Sequence, residues 1–473
     1  MKPPKSLHSR RAFLKSFGTA TAVAPLLIRN SLAQEGARRG RARRSCVVIG
    51  AGLSGLAAAY SLKRANWDVT VLEARERHGG RVHSFRFAEN RDLVCELGGE
   101  WIGASHERIR ALCGEFNLAL KDHRFDASLM RDGKVSRPGT WDFSAQANSA
   151  FEKFRQTYKT YTRPQQERLD RFDWWTWLEQ IGFTEDDLLL RDLQDSTDFG
   201  ESIRHVSAYA AASEYFESSP ANEMDFKIVG GNSRLVAEFV RRIGADSIRT
   251  NTRVAQIRER GGRVTIVAAD GTRYVADACI CTVPARTLDR IRFDPPLPVA
   301  QRDAAERLQY ARIVKNQILF DERFWGAENF SLVSDVTSHY YFHSTRDQAG
   351  TQGILCSYAI GEKADVLAAQ SDVRRQEIIT RDLLPLEARA PRLARAIQSM
   401  PWQRDVYTGG AYAVYRPGQW FTVRETLQRP HGKVLFAGEH LADWQGFMEG
   451  AVVTGEQAAE ALVGASARVR RRA

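Results

Sequence analysis

The first regular pattern along the chain is a short apolar run, a glycine-rich turn and a helix-forming stretch. Residues 46–50 read Cys-Val-Val-Ile-Gly, the continuous apolar run expected of a buried parallel strand. Leu56–Leu62 then has helical spacing, and Val69–Leu72 is a second apolar run that ends at Glu73. This order of strand, turn, helix and strand predicts a βαβ unit, and hence an α/β fold class.

The turn has the glycine spacing of a dinucleotide-binding loop. Gly50, Gly52 and Gly55 form G-x-G-x-x-G between the strand and the helix, and Glu73 lies 18 residues beyond Gly55. Gly50 allows a tight turn, Gly52 lets the backbone approach a pyrophosphate, and Gly55 permits close helix–strand packing. The unpaired N–H groups of the helix start favour phosphate. Glu73 would accept from ribose hydroxyls and repel a 2′-phosphate, so the pattern favours FAD or NAD over NADP.

Similar patterns continue through the rest of the chain. Apolar, β-like runs occur at Thr252–Ile257, Val314–Phe320 and Val434–Ala437, and Asp173–Glu179 has helical periodicity with polar breaks. The 473 residues exceed what one hydrophobic core normally serves, so we expect two closely joined domains. A composition of 43% apolar and 26% charged residues excludes a disordered, collagen-like or coiled-coil protein.

The net charge of +11 lies at the two ends of the chain. Residues 1–33 carry six positive charges and no acid, residues 34–44 carry a net +4, and Arg468–Arg472 carries another +4. Residues 45–467 therefore have a net charge of −3. Because the folded body is slightly acidic, we expect no nucleic-acid partner.

Residues 1–33 have the features of an export signal. Ser9–Lys15 contains paired arginines, and a mild apolar stretch follows over Phe17–Ile28. Small residues at positions −3 and −1 then predict cleavage after Ala33. The pattern predicts a twin-arginine signal peptide, recognised by the twin-arginine export machinery of a bacterium, and a periplasmic or secreted protein. The apolar stretch is well short of the roughly 20 residues of a membrane span. Residues 34–44 indicate a basic linker, and residues 466–473 a basic tail.

The six cysteines show no C-x-x-C pair and no histidine partner at metal-binding spacing. Cys46, Cys279 and Cys281 lie in β-like apolar runs, where small buried thiols are common. The sequence therefore predicts no metal site.

Two further glycine-rich segments resemble a known family. Glu73–Val82 contains Gly-Gly-Arg, and Glu96–Gly103 contains Gly-Gly-Glu-Trp. Together with the dinucleotide loop, these segments resemble the flavin amine oxidase superfamily, which includes monoamine oxidases, polyamine oxidases and L-amino-acid oxidases. Val229–Leu235 is similar to the family's glycine turn before a helix, and Trp444–Ala451 to the start of its last helix. The resemblance spans nearly all of the mature chain.

The resemblance implies a Rossmann-like FAD-binding domain that is interrupted by a second, α+β substrate-binding domain. The FAD-binding domain is expected to combine residues 45–120, 226–300 and 402–465. Residues 121–225 and 301–401 are expected to build the substrate domain. The active site would lie at the domain junction, beside the flavin.

The resemblance also implies which residues contact FAD. Arg81 would lie close to the pyrophosphate, Val254 would meet the adenine through its backbone, and Glu439 would contact the ribityl or pyrophosphate region. The helix that begins near Phe447 would direct its N-terminus at the pyrimidine edge of the flavin and stabilise negative charge there. The predicted FAD-binding residues are Gly50, Gly52, Leu53, Ser54, Gly55, Glu73, Ala74, Arg81, Gly98, Gly99, Glu100, Trp101, Val254, Glu439, Gly446, Phe447, Met448, Glu449, Gly450 and Ala451.

The implied reaction is oxidative deamination. In the family, a hydride equivalent passes from the carbon that bears nitrogen to flavin N5, and the imine is hydrolysed to a keto acid or aldehyde plus ammonia. Lys315 lies in an apolar run, ten residues before Trp325, and is similar to the family lysine that holds a water at N5. The alternative is a strand-edge lysine that faces solvent.

Two aromatic residues are expected to flank the substrate. Tyr412 and Phe447 each follow a glycine-containing segment, at positions similar to those of the two rings that stand perpendicular to the flavin in monoamine oxidases. Such a pair would exclude water and align the nitrogen lone pair; the alternative is an ordinary place in the core. The predicted catalytic residues are Lys315, Tyr412 and Phe447, and the predicted substrate-binding residues are Trp101, Tyr412, Trp444 and Phe447.

Two positions depart from the patterns of the family. Ala411 stands where the covalently flavinylated monoamine oxidases have a cysteine, so we expect FAD to bind non-covalently. Trp101 stands where animal L-amino-acid oxidases have an arginine that clamps the substrate carboxylate. This tryptophan argues against carboxylate binding unless another arginine provides it.

The favoured substrate class is basic L-amino acids, because the carboxylate of Glu100, next to Trp101, would attract a second cationic group. The alternative for the whole enzyme is a polyamine or monoamine oxidase. The alternative for Glu100 is a carboxylate that binds the ribityl chain or caps a helix and never contacts the substrate. A desaturase or isomerase on a related FAD scaffold, or a flavoprotein without catalysis, would not need Lys315 and the aromatic motifs. The sequence leaves open oxygen or a quinone as electron acceptor, peripheral membrane contact, and the oligomeric state, including a homodimer.

Overall fold

The computed structural model describes residues 43–443 and 445–472. The predicted signal peptide, most of the predicted linker and Trp444 lie outside the described residues. Among the residues that are described, no helix has both the length and the apolar character needed to cross a membrane.

The described residues alternate between strands and helices, as the α/β prediction requires. The strands are β1 (Ser45–Ile49), β2 (Asp68–Leu72), β3 (Ser84–Phe85), β4 (Cys95–Glu96), β5 (Leu120–Asp122), β6 (Asp126–Arg131), β7 (Lys134–Ser136), β8 (Phe226–Ile228), β9 (Ile248–Arg249), β10 (Val254–Arg260), β11 (Arg263–Ala268), β12 (Arg273–Ala276), β13 (Ala278–Cys281), β14 (Arg292–Asp294), β15 (Gln309–Tyr310), β16 (Ile313–Phe320), β17 (Phe330–Ser334), β18 (Tyr340–His343), β19 (Gly353–Ile360), β20 (Ala394–Pro401), β21 (Ala413–Val414) and β22 (Val434–Phe436). The α-helices are α1 (Leu53–Arg64), α2 (Glu107–Glu115), α3 (Ala145–Tyr158), α4 (Arg163–Leu169), α5 (Trp174–Ile181), α6 (Glu185–Phe199), α7 (Ala208–Glu217), α8 (Ser233–Ile243), α9 (Val299–Arg307), α10 (Gly361–Ala368), α11 (Asp372–Asp382), α12 (Ala390–Leu393), α13 (Glu425–Leu427) and α14 (Met448–Arg472).

A five-stranded parallel sheet forms the centre of the first domain, with strand order β22-β13-β1-β2-β9. β1 is buried along nearly all of its length, as its apolar run predicts. Helices α1 and α14 pack against each other beside this sheet. All five strands lie within the three ranges predicted for the FAD-binding domain. The arrangement confirms the predicted α/β fold class with a Rossmann-like sheet.

A seven-stranded sheet, with order β20-β16-β19-β18-β17-β6-β7, forms the second domain. Its strands all lie within residues 121–225 and 301–401, the ranges predicted for the substrate domain. β16 and β19 are buried along their whole length and pair antiparallel, which places Lys315 opposite Tyr358. Helix α5 begins after Asp173, because the Asp173 carboxylate accepts a hydrogen bond from the Thr176 N–H at 2.8 Å.

Helix α14 extends further than the sequence pattern predicts. It runs to Arg472, so residues 466–472 continue the helix instead of forming a separate tail. Alanine and arginine are good helix formers, and they make up most of this segment. The predicted boundary at residue 465 is therefore wrong for the backbone.

The six cysteines lie in the interior and form no disulfide in the described chain. Burial raises the pKa of the Cys46 and Cys281 thiols to about 12, so these groups stay protonated. Within the described ranges, no group of three or more histidine, cysteine, aspartate and glutamate side chains could hold a metal ion.

Candidate active site

A cavity lies at the junction of the two domains and is lined by residues of both. Its volume is about 320 Å³, within the range of roughly 300–1,000 Å³ typical of ligand pockets. The substrate-domain wall of this cavity consists of Thr197, Asp198, Glu214, Asn222, Met224, Ile313, Lys315, Tyr340 and Tyr358. The predicted FAD-binding residues that line the cavity are Gly50, Gly52, Leu53, Ser54, Glu73, Ala74, Arg81, Gly98, Gly99, Glu100, Trp101, Val254, Glu439, Gly446, Phe447, Met448 and Ala451.

The glycine loop between β1 and α1 leaves space for a phosphate group. A Cβ atom on Gly55 would lie 1.9 Å from the Gly50 carbonyl oxygen, so Gly55, which does not line the cavity, permits close packing of α1 on β1. A Cβ atom on Gly52 would meet nothing within 4 Å. Ser54 Oγ, in the first turn of α1, is buried and has no hydrogen-bond partner in the described structure. The open loop, the unpaired hydroxyl and the helix N-terminus fit a bound pyrophosphate.

Glu73 lies directly after β2 and faces the same cavity. Its Oε2 accepts a hydrogen bond from the Ala51 N–H at 2.7 Å, and its Oε1 accepts one from the Arg75 N–H at 2.8 Å. These contacts fix the carboxylate beside the glycine loop. Each oxygen keeps a further lone pair for a ribose hydroxyl.

Arg81 and Glu439 connect the second glycine segment to the start of α14. Arg81 Nη1 lies 2.7 Å from Glu439 Oε1, and the Gly446 N–H donates to Glu439 Oε2 at 2.8 Å. All three residues line the cavity. Glu439 therefore holds the Arg81 guanidinium group and the segment before α14 on the same wall of the cavity. A guanidinium group and a helix N-terminus both favour bound anions.

The start of α14 lies on the cavity, although not every predicted residue does. Phe447, Met448 and Ala451 line the cavity, whereas Glu449 and Gly450 do not. The Glu449 oxygens accept backbone hydrogen bonds from the first turn of α2, both at 2.8 Å, and burial raises the pKa of Glu449 to about 7. The structure contradicts a contact between the Glu449 side chain and FAD, because this carboxylate caps α2.

A buried charge cluster, formed by Lys315, Glu100, Lys227 and His123, reaches the cavity through Lys315 and Glu100. Lys315 Nζ donates to Glu100 Oε2 at 2.6 Å and to the Gly98 carbonyl oxygen at 3.0 Å. Lys227 Nζ donates to Glu100 Oε1 at 2.7 Å, and His123 Nε2 lies 3.1 Å from the same oxygen. The four side chains are at most 3% exposed. Lys315 is therefore not a strand-edge lysine that faces solvent.

The cluster keeps Glu100 ionised. Although burial by itself raises the pKa of Glu100, Lys227 and Lys315 hold it well below its usual range. Burial lowers the pKa of His123 to about 4, so the imidazole is neutral near pH 7. Burial also lowers the pKa of Lys227, but Glu100 and Glu96 outweigh that effect and raise it.

The structure argues against the predicted attraction of a second substrate cation by Glu100, because two ammonium groups of the protein already balance its negative charge. Both carboxylate oxygens already accept hydrogen bonds from the ammonium groups of Lys227 and Lys315. Lys227 lies 127 residues from Glu100 in the sequence, and sequence reasoning missed it together with His123. The available signal was a single lysine between Phe226 and Ile228, in the apolar strand just before a glycine turn.

Aromatic residues cover the cavity beside the cluster. The Tyr412 hydroxyl donates to the Asp198 carbonyl oxygen at 2.7 Å and lies 3.2 Å from the Tyr358 hydroxyl. The Phe447 ring is edge-on to the His106 ring, with 5.0 Å between centroids. The Trp101 ring packs 5.0 Å from that of Phe342. Tyr412, Phe447 and Trp101 all line the cavity. The fourth predicted substrate-binding residue, Trp444, lies outside the described residues.

Residues 53–463 match the model of a family described as flavin containing amine oxidoreductase. The chain belongs to this family. It is 27% identical over 471 residues to an L-amino-acid oxidase of Vipera ammodytes ammodytes, covering 90% of this chain and 94% of that protein. It is 24% identical over 455 residues to an L-amino acid dehydrogenase of Synechocystis sp., covering 89% and 94%.

Solved structures of amine oxidases have the same fold. Putrescine oxidase bound to putrescine superposes with a TM-score of 0.79 at 21% identity, covering 89% of this chain and 99% of that one. Cyclohexylamine oxidase from Brevibacterium oxydans gives a TM-score of 0.79 at 22% identity, with the same coverage. Family and fold confirm the predictions of an FAD-dependent oxidoreductase that deaminates amines oxidatively.

Proposed function

We propose that this enzyme oxidises L-amino acids at the α-carbon. The observation that carries the proposal is the extent of similarity to L-amino-acid oxidases and an L-amino acid dehydrogenase, which align over about nine tenths of both chains. Oxidation at the α-carbon would give an imine, and water would convert it to a keto acid and ammonia. The acceptor that regenerates the enzyme is oxygen or a quinone.

The cavity provides what such a reaction requires of the protein. The glycine loop, Glu73 and Arg81 would hold FAD, which when bound supplies the two-electron acceptor. Tyr412, Phe447 and Trp101 would exclude water around the substrate nitrogen. Lys315, held by Glu100, places a positive charge at a fixed position on the cavity wall.

A diamine or polyamine is the second candidate substrate. Trp101 stands where a carboxylate-binding arginine is expected, and Lys315 is the one cationic side chain among the described residues of the substrate-domain wall. Since Glu100 already holds Lys315, a substrate carboxylate would have to bind to hydroxyl or N–H groups. An amine without a carboxylate would need no such site.

One comparison separates the two candidates. L-arginine and L-lysine are tested beside agmatine and cadaverine, which are the same molecules without the carboxylate. Reduction of the bound flavin by the amino acids alone supports the proposal. Equal or faster reduction by the decarboxylated compounds would replace it with the diamine assignment.

We also propose that FAD binds non-covalently. Ala411 lines the cavity directly before Tyr412, and its methyl group offers no thiol for attachment. Acid precipitation should release the yellow chromophore into the supernatant. A pellet that stays yellow after washing would contradict this proposal.

We further propose that the twin-arginine pattern directs export to the periplasm or medium. The support is the sequence of residues 9–15, which contains Arg10 and Arg11. Replacement of both arginines by lysine should retain the enzyme inside the cell. Unchanged export of that variant would overturn the proposal.

A further inference from the structure

We propose that Asp198, Glu214 and Asn222 form a subsite for a second, positively charged group of the substrate. This inference rests on the proposed amine oxidation and specifies its substrate class. The preferred substrates would be amino acids or amines that carry an ammonium or guanidinium group at the far end. The subsite is distinct from Glu100, whose charge is used inside the protein.

Two helices bring the carboxylates to the same wall. Asp198 lies in the last turn of α6, and Glu214 lies in α7; both line the cavity. Gly200 ends α6 with φ +70°, and a Cβ atom there would lie 3.0 Å from the Tyr412 hydroxyl oxygen. The end of α6 is therefore packed directly against the aromatic wall. Burial raises the pKa of the Tyr412 hydroxyl well above its usual range, and Tyr358, Asp198 and Glu214 raise it further.

Asp198 has neutral hydrogen-bond partners. Its Oδ2 accepts from the Tyr215 hydroxyl at 2.6 Å and from Asn222 Nδ2 at 3.0 Å, and Thr197 Oγ1 lies 3.4 Å from Oδ1. By contrast, the neighbouring Asp195 pairs with an arginine at 2.9 Å. Burial raises the pKa of Asp198 to about 7, and none of the hydrogen bonds to its carboxylate in the described structure comes from an ammonium or guanidinium group. A cationic ligand would supply such a group.

Asn222 provides the independent sign of a missing ligand. Its amide N–H group is directed at Asp198, which leaves Oδ1 as the remaining acceptor. Oδ1 is buried and accepts no hydrogen bond from any described residue. Buried acceptors without a donor are rare in folded proteins. An ammonium or guanidinium group carries several N–H donors and no acceptor, so it could donate to Asn222 Oδ1 and bring a positive charge to Asp198.

The main test compares two substrates with the same number of carbon atoms, of which only one carries a terminal ammonium group. The ratio of kcat/KM for L-lysine over L-norleucine is measured in the wild type and in Asp198→Asn and Glu214→Gln, all loaded with FAD. We expect the wild type to prefer lysine, and each variant to lose at least about tenfold of that preference, since a buried charge pair is broken. Glu185→Gln is the matched control, because this exposed acid lies at the other end of α6.

A binding measurement keeps the test independent of turnover. Butylguanidinium is permanently charged and has no α-amino group, and calorimetry should show that it binds the wild type and Glu185→Gln but binds both subsite variants at least about tenfold more weakly. If Asp198→Asn does not fold, Glu214→Gln carries the test alone. Unchanged ratios and unchanged butylguanidinium affinity in the folded variants would overturn the subsite.

The amine pair cadaverine and pentylamine is measured in parallel. If only amines react, the L-amino-acid proposal fails, while the cadaverine preference and its loss in the variants still support the subsite. If amino acids react but lysine and norleucine are used equally by the wild type, the subsite fails and the L-amino-acid proposal stands.

Discussion

Lys315 and Glu100 illustrate how the protein can keep a charge inside an apolar strand. β16 is buried along its whole length, and an ammonium group without a partner there would be strongly disfavoured. Glu100 and the Gly98 carbonyl oxygen accept its hydrogen bonds, and Lys227 balances the second oxygen of Glu100. The position of the Lys315 charge is therefore fixed by groups that never need to touch the substrate.

Replacement of Lys315 by methionine should slow flavin turnover by at least about tenfold while FAD stays bound, because the water expected at flavin N5 loses the ammonium group that holds it. Methionine is of similar length but has no ammonium group. Stopped-flow traces of flavin reduction and reoxidation would locate the defect. The exposed Lys134, in β7, gives the control Lys134→Met. Unchanged rates in both half-reactions would remove Lys315 from the mechanism.

Replacement of Lys227 by methionine should destabilise the holoenzyme by about 3–5 kcal/mol, because it leaves a buried carboxylate with one cation fewer. The expected result is a fall of several degrees in Tm. The double variant Glu100→Gln/Lys227→Met should lose less stability than the two single changes added together. An unchanged Tm for Lys227→Met would show that the pair is not energetically coupled to the fold.

The affinity for butylguanidinium should rise about tenfold between pH 6 and pH 8, because Asp198 ionises across this range. Its pKa is raised by burial and by Asp195 and lowered by the Tyr215 hydroxyl and Arg191. The raised value means that Asp198 is mostly protonated at pH 6 and mostly ionised at pH 8. Calorimetry at both pH values would measure the change. The same rise in Asp198→Asn would assign it to another group.

Residues of the FAD loop could be predicted from the sequence because each motif is contiguous. Gly50, Gly52, Glu73 and Arg81 all line the cavity. Asp198 and Lys227 could not be found in this way. Their roles depend on partners that only the tertiary fold brings near, and the sequence around them shows ordinary helix and strand patterns.

Among the elements, the start of α14 has the most direct connection to the cofactor site. Glu439 holds the segment before α14 through the Gly446 N–H and holds Arg81 through an ion pair. The start of this helix was predicted to within a residue, because Trp444–Ala451 is similar to the start of the last helix of the family. The C-terminal end of α14 was not predicted, because a run of arginines is typical of a solvated tail although arginine also favours helix formation.

Replacement of Glu439 by glutamine should weaken FAD retention by about tenfold, equivalent to about 1.4 kcal/mol. The variant keeps a hydrogen-bond acceptor for Gly446 but removes the charge that holds Arg81. Release of FAD on dilution, followed by flavin fluorescence, would measure the effect. Glu456→Gln is the control on α14, because Glu456 pairs with Arg108 away from the cavity. Equal FAD release by the two variants would contradict this role of Glu439.

For the whole molecule, the chain length predicted two domains, and the resemblance to flavin amine oxidases implied an active site between them. The strands of the parallel sheet read as apolar runs, because both faces of such a sheet are covered. The strands of the seven-stranded sheet lie in residues 121–225 and 301–401, the two ranges predicted for the substrate domain. The chemistry of the substrate-domain wall was less predictable, because its acids come from two helices, α6 and α7.

An anaerobic titration tests most directly whether this cavity supports FAD-dependent oxidative deamination. Purified holoenzyme is titrated with L-lysine, L-arginine, cadaverine and agmatine while flavin absorbance and ammonia are measured. We predict that at least one of the four bleaches the flavin and yields one ammonia per flavin reduced. Absence of bleaching by all four and by a panel of the other L-amino acids and simple amines, with FAD bound, would contradict the account.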